Sequence, residues 1–252
     1  GPGAAHGQGG LLIQEVAGAM TPGREEGKIY WLREFERKAS EVKEAYRASG
    51  WRTPNSLRAR MKVVKRLLNI VLKHSGAPSL VVLDLGCGPG SYLPLISEFA
   101  DTVVALDLSP GMASRAKKAW PTALVCVGDA EQLPFRDGVF HIIICVGLLQ
   151  YLDGAEKALS EIARTVKKGG AAIIITLNRE YGLGRPAGIS KTYSLDEIKC
   201  QLERLGMKIQ ECGFLIIAPF LCSFTSTSKL LSRLGICIYL LATKARNQKP
   251  KR

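Results

Sequence analysis

The densest chemistry in this 252-residue chain lies in Asp84-Leu85-Gly86-Cys87-Gly88-Pro89-Gly90. Glycines at this spacing allow a tight turn and let backbone approach a ligand closely. A glycine-rich turn alone is a weak signal, because several nucleotide-binding folds share it. Ser91 stands where a dinucleotide fingerprint requires its last glycine, and no lysine follows as a phosphate loop requires. Asp84, two residues before the first glycine, is awkward beside a pyrophosphate but suits an ammonium group. Asp107 follows roughly 20 residues after the turn, where an acid can accept from both hydroxyls of a ribose. Asp129 lies in Gly128-Asp129-Ala130-Glu131, where its carboxylate can accept from an adenine amino group. The amide of Ala130 can donate to the same ring. The competing reading is that each acid merely caps the following helix. Three acids after three successive strands instead suggest one wall of a cleft.

The elements that must position these acids can be read from periodicity. Strands are expected at Leu80–Leu85, Thr102–Leu108, Ala123–Val127, Val139–Val146 and Ala171–Thr176. Two more are expected at Lys208–Ile217 and Cys237–Lys244. Helices are expected at Ser91–Phe99, Gly111–Ala119, Ala155–Val166 and Leu195–Leu205, the third stopped by Lys167-Lys168-Gly169-Gly170. Short apolar strands alternating with helices predict an α/β fold with a doubly wound, mostly parallel sheet. Ligands of such sheets bind at the carboxyl ends of the strands, at the topological switch point. Upstream, Trp31, Leu32, Phe35, Ala39, Val42 and Tyr46 form the apolar stripe of one amphipathic helix over 28–48. A second helix, capped by Asn55 or Ser56, runs to about His74 and ends at Gly76-Ala77-Pro78. The chain thus divides into a flexible segment 1–27, a helical cap 28–76, a ligand-binding domain 77–246 and a basic tail 247–252.

Composition bounds the function. Hydrophobic residues make up 46% of the chain, enough for a sizeable core. No apolar run reaches the ~18 residues of a membrane helix, and the N-terminal apolar run has no basic leader. The seven cysteines lack metal-ligand spacing. They read as buried thiols of a cytoplasmic protein, with no metal site. The net charge is +13, and residues 24–73 hold 14 Lys/Arg against six Asp/Glu. Such a face attracts nucleic acid, phosphorylated metabolites or an anionic membrane.

Four segments together resemble the class I S-adenosylmethionine (SAM)-dependent methyltransferases. They are the glycine turn with its strand, Val104-Ala105-Leu106-Asp107-Leu108-Ser109-Pro110-Gly111-Met112, Gly128–Phe135 and Thr165–Gly170. The nearest group is the small-molecule, type 11 one that includes ubiquinone, menaquinone and biotin-pathway enzymes. The resemblance is close over 79–180 and weak over 190–244. It implies a Rossmann-like seven-stranded sheet whose last strand is antiparallel. It implies SAM as methyl donor, with S-adenosylhomocysteine as product. It places Asp84 and Gly86 near the methionine moiety, with Gly88 and Gly90 lining the turn and Cys87 also among the cofactor-binding residues, and Asp107 on the ribose. Leu108 and Met112 flank the adenine, Asp129 and Ala130 read its edge, and Val146 and Gly147 touch the methionine moiety through backbone. One departure is Phe140-His141, where the family commonly has Phe-Asp; at a strand start, His141 reads as structural.

The resemblance does not specify the acceptor. A small molecule is expected. The mostly apolar Pro219–Phe224 suggests an apolar or lipid-like one, and the basic region at Arg58, Arg60 and Lys62 could hold an attached phosphate. The inserts Asn178–Ser190 and Ala218–Gly235 would shape its pocket. No general base stands out. Tyr151 and Tyr181 are the candidate catalytic groups, followed by Tyr30 and Tyr46. The alternative is a tRNA or rRNA methyltransferase, prompted by the charge but lacking an Asn-Pro-Pro-Tyr-type motif after the fourth strand.

Overall fold

The computed structural model describes residues 25–50, 53–73, 79–182, 191–217 and 224–245. The expectations for the N-terminal segment, the 76–78 helix end, most of 178–190, the apolar stretch after Pro219 and the basic tail lie outside these residues. The first five strands are β1 (Val81–Leu85), β2 (Thr102–Asp107), β3 (Leu124–Val127), β4 (Phe140–Val146) and β5 (Val166–Leu177). They run parallel in the order β3-β2-β1-β4-β5. β8 (Cys237–Lys244) pairs antiparallel with both β5 and β6 (Met207–Ile216). The order reverses between β1 and β4, so the switch point lies at the carboxyl end of β1.

Alternating strand residues feed two cores. Leu83, Leu85, Val104 and Ile143 face α6 (Glu156–Thr165) and α7 (Leu195–Arg204). Val82, Ile142, Ile144 and Ile173 face α3 (Pro54–Leu72), α4 (Leu93–Ser97) and α5 (Pro110–Ala119). On α3, Val63, Val64, Leu67 and Leu68 lie on one helix face and are fully or almost fully buried. The helix is therefore part of the sheet's own core. Among the described residues, α1 (Glu25–Glu41) and α2 (Ala45–Ala48) form the covering layer above the strand ends. Among the described residues no helix is long and apolar enough to cross a membrane.

Four details correct the sequence reading. Among the described residues the sheet has eight strands, because β7 (Phe224–Ser226) adds a three-residue antiparallel ladder to the outer edge of β6. Its Phe-Thr-Ser sequence shows no alternation, and its pairing comes from an edge that offers unpaired backbone. The single helix expected over 28–48 breaks after Glu41. Arg115 donates to the carbonyls of Val42 (2.5 Å) and Lys43 (2.8 Å), and this capture accompanies the break. Thr53 caps α3, its Oγ1 accepting from the Ser56 amide at 3.2 Å, because Pro54 occupies the first helical position. Finally, Lys167–Gly170 is not a helix stop. It is a bulge inside β5, where the register jumps from Phe140↔Val166 to Ile142↔Ala171.

Candidate active site

A cleft opens at the carboxyl ends of β1, β2 and β4 and is roofed by α1. Its floor is the glycine turn. The amides of Gly86 and Cys87 both donate to Leu106 O, which stitches the turn to β2. Gly88 and Gly90 have φ of +52° and +84°, a region that L side chains rarely adopt. Their surroundings differ. A side chain on Gly88 would meet only Ser49 Oγ, 3.7 Å away, so this glycine faces the cleft. One on Gly90 would lie 3.1 Å from the Ala116 backbone, so that glycine serves the close packing of α5.

The three acids occupy three different settings. Asp107 lines the cleft, its Oδ2 accepting from the Gly88 amide (2.8 Å) and its Oδ1 from the Ser109 amide (2.9 Å). Burial holds its pKa above the usual carboxylate range, against the pull of these amides. Asp129 also lines the cleft, accepting from the Glu131 amide at 2.9 Å. Asp84 lies within β1, buried beside the turn and outside the cleft lining. Its Oδ2 has no hydrogen-bond partner among the described residues. Burial, and secondarily the charge of Asp107, pushes its pKa up to about 7.

Of the other expected site residues, Gly86, Cys87, Leu108, Ala130, Val146 and Gly147 line the cleft. Met112 does not. It is fully buried in the first turn of α5, its amide donating to the capping Ser109 Oγ. Tyr151 lines the cleft, whereas Tyr181, Tyr30 and Tyr46 do not. Tyr30 is 58% exposed. Tyr181 sits past β5, its amide donating to Asn178 O. His141 accepts from the Val81 amide through Nδ1 at 3.0 Å, at the far end of the sheet. A carboxylate there would accept the same bond, which explains why either residue type fits.

The roof contributes residues that local sequence signals left unassigned. Trp31, Leu32 and Phe35 turn the apolar stripe of α1 into the cleft. Trp31 and Phe35 stack edge-on against Tyr151, with centroids 4.6 and 5.0 Å away. Glu36 accepts from Ser109 Oγ (2.5 Å) and the Gly111 amide (2.9 Å). Lys28 donates to Asp129 Oδ2 at 2.6 Å and lies 2.5 Å from Glu131 Oε2. Burial opposes its charge, but the two carboxylates outweigh it and raise its pKa.

A methyltransferase-domain family matches residues 83–174. A methyltransferase of Synechocystis whose function is uncharacterised is 31% identical over 151 residues, 58% of this chain and 71% of the relative. The chain belongs to the class I SAM-dependent methyltransferases. The malonyl-[acyl-carrier protein] O-methyltransferase of Serratia marcescens is 33% identical over 46% of this chain and 44% of that one. The match thus spans less than half the length of that relative. A SAM-dependent methyltransferase of Thermotoga maritima shares the fold, with a TM-score of 0.59 at 23% identity over 84% of this chain and 99% of that one.

The residues present fit the methyltransferase cofactor. The unpartnered Asp84 oxygen suits a cation, and the side-chain-free face of Gly88 leaves room along the turn. Lys28 ties the α1 roof to Asp129, an acid of this cleft. Lys28→Met should therefore speed SAM association severalfold, read by stopped-flow Trp31 fluorescence. The pair is partly exposed, so stability should change by less than about 1 kcal/mol. An unchanged association rate would show that the roof is held elsewhere.

Proposed function

We propose that the chain moves the methyl group of SAM to a small, apolar acceptor carrying an anionic group, in the cytoplasm. The observation that carries this reading is the convergence of the glycine turn, Asp107 and Asp129 at the switch point, beside the unpartnered Asp84 oxygen. Asp84 would face the ammonium end of the donor across the turn. Asp107 would accept from the ribose hydroxyls. Asp129 and the Ala130 amide would meet the adenine edge beside Leu108, with Met112 supporting that wall from beneath. Val146 and Gly147 would contact the methionine moiety.

SAM supplies a methyl group already activated by its sulfonium. The protein's remaining task is alignment and exclusion of water. Trp31, Phe35, Leu148, Tyr151 and Leu152 form a largely apolar wall suited to an apolar acceptor. Burial, partly offset by Gln150 and the charge of Arg60, raises the Tyr151 pKa. Tyr151 therefore keeps its proton and would act by donating to the acceptor, not as a base. The relatives that act on a malonyl group of a carrier protein support an acidic acceptor. Of the six described cysteines, Cys87, Cys145 and Cys237 are buried as expected, Cys126 and Cys212 are half-buried and Cys200 is exposed.

The basic N-terminal stretch is less available than its composition suggests. Arg60 is buried, Lys65 pairs with Glu98 at 2.8 Å, and Arg66 pairs with Glu211. That weakens the RNA reading. The test is transfer of labelled methyl from SAM into a small-molecule extract and into bulk tRNA. Label in the organic-soluble fraction is expected; label only in tRNA would overturn the proposal. Exposed Arg58 and Lys62 remain the candidates for holding a phosphate. Reversing both charges should lower activity on a phosphorylated acceptor and spare SAM binding.

Asp84 gives the site a pH dependence. Its ordinary pKa is 3.8 and its buried value is about 7. Its protonated form therefore favours the folded state below pH ~4, and that contribution is lost as pH rises through ~7. Ionisation creates the charge that an ammonium would neutralise. SAM affinity should rise between pH 6 and 8, and the rise should vanish in Asp84→Asn, as read by calorimetry. An equal rise in both proteins would remove Asp84 from the donor site.

A further inference from the structure

The cofactor cleft uses little of the chain's positive charge. A larger cavity, ≈ 670 Å³, lies at the opposite end of the sheet, where β4, β5 and β8 meet α3. One side is basic: His141, Lys167, Lys168 and Lys244. Ile70 and Val71 of α3 add apolar surface. No Asp or Glu is among the described lining residues. The acid acting on Lys244 is Asp137, which is mostly exposed and paired with Arg164 at 2.8 Å.

The bulge in β5 builds the basic side. Lys167 and Lys168 bow out where the register jumps, and Gly169 turns the chain back with φ of +79°. Gly170 then packs so closely that an added Cβ would lie 2.7 Å from His141 O.

The bonding of His141 shows what this arrangement lacks. Its Nδ1 accepts from the Val81 amide, so in the neutral ring Nε2 carries the proton. That Nε2 lies 3.1 Å from Lys167 Nζ. Two donors then face each other. Burial and the Lys167 charge hold the His141 pKa below its usual value, which keeps the ring neutral. An anionic oxygen can accept from both groups at once. Lys244 donates to Ala163 O (2.6 Å) and Val166 O (3.1 Å), so it adds charge to the cavity while its own bonds go to backbone.

We propose that this cavity is a second binding site, for an amphiphilic anion whose phosphate head lies against Lys167 and His141 and whose apolar body lies along Ile70 and Val71. The site is separate from the methyl-transfer cleft, which lies at the carboxyl ends of the strands. It does not depend on the identity of the methyl acceptor. The phosphate can belong to a membrane lipid or to a free amphiphile, and the chemistry recognised is the same.

The test uses the full chain and three probes. They are lysophosphatidic acid below its micelle concentration, inorganic phosphate, and phosphatidylcholine vesicles with and without phosphatidic acid. Calorimetry should show saturable binding of lysophosphatidic acid, with inorganic phosphate at least tenfold weaker. Lys167→Ala should weaken the amphiphile tenfold or more and leave SAM affinity unchanged. Val71→Ser should weaken the amphiphile and spare inorganic phosphate. Lys167-dependent binding to phosphatidic acid vesicles would assign the head group to a membrane lipid. Binding of the free amphiphile alone would assign it to a diffusible one. The proposal is overturned if neither amphiphile nor phosphate saturates, or if Lys167→Ala binds as the parent does. It is also overturned if the amphiphile competes with SAM.

Discussion

Asp107→Ala should weaken SAM binding on the order of a hundredfold. Each charge-assisted hydrogen bond from a ribose hydroxyl contributes roughly 1.5–3 kcal/mol, and tenfold in affinity corresponds to about 1.4 kcal/mol. Asp107 has a second task, because its two oxygens already accept from the Gly88 and Ser109 amides. Alanine leaves both amides without that acceptor and loosens the glycine turn as well. Asp107→Asn keeps one oxygen and separates the two effects. It should retain more of the turn's order, as read by amide hydrogen exchange, and still lose at least tenfold in affinity. Calorimetry with S-adenosylhomocysteine checks both variants. An unchanged dissociation constant in Asp107→Ala would rule out the ribose role.

The largest stability change is expected at Arg60. The sequence places it with Arg58 and Lys62 in a basic stretch, yet it is only 1% exposed. Its Nη1 donates to Ser56 O at 2.7 Å and to Ser56 Oγ at 2.5 Å, and its Nη2 donates to Cys237 Sγ at 2.9 Å. A carboxylate at this position would face the Ser56 carbonyl as an uncompensated buried charge, which costs about 3–5 kcal/mol. In a chain of this size each kcal/mol shifts Tm by roughly 2–4 °C. Arg60→Glu should therefore lower Tm by roughly 10 °C. Arg58→Glu, at an exposed position, should stay within about 0.5 kcal/mol of the parent. Equal Tm values for the two variants would mean that Arg60 is not held in the core.

These two residues show which placements a sequence reveals and which it does not. Asp107 was legible because its signal is local: a short apolar strand ends and an acid follows. The glycine turn was legible for the same reason. Arg60 was not, because its Cys237 partner lies 177 residues away. Composition assigns every arginine to the surface, and only packing shows that α3 turns this one inward. Lys28 was missed on similar grounds, because Asp129 lies 101 residues away. The Lys-Lys-Gly-Gly segment carried a genuine local signal that was misread. Glycines can stop a helix or bulge a strand, and the register with β4 selects the bulge.

The sequence by itself determined the alternation of strands and helices about the cleft and the mostly parallel sheet, and its family resemblance implied the cofactor class. Those rest on short-range periodicity and on residue types that only certain ligands suit. Tertiary structure decided the rest. It placed Asp84 beside the turn and not in the cleft wall, and turned the α1 stripe over the acids. It also opposed His141 to Lys167 at the far end of the sheet. The physical reason is that burial and charge pairing depend on which distant segments meet. Glycine spacing can require a tight turn at residues 86–90, but only the folded chain shows that Gly88 faces the cleft while Gly90 meets a helix.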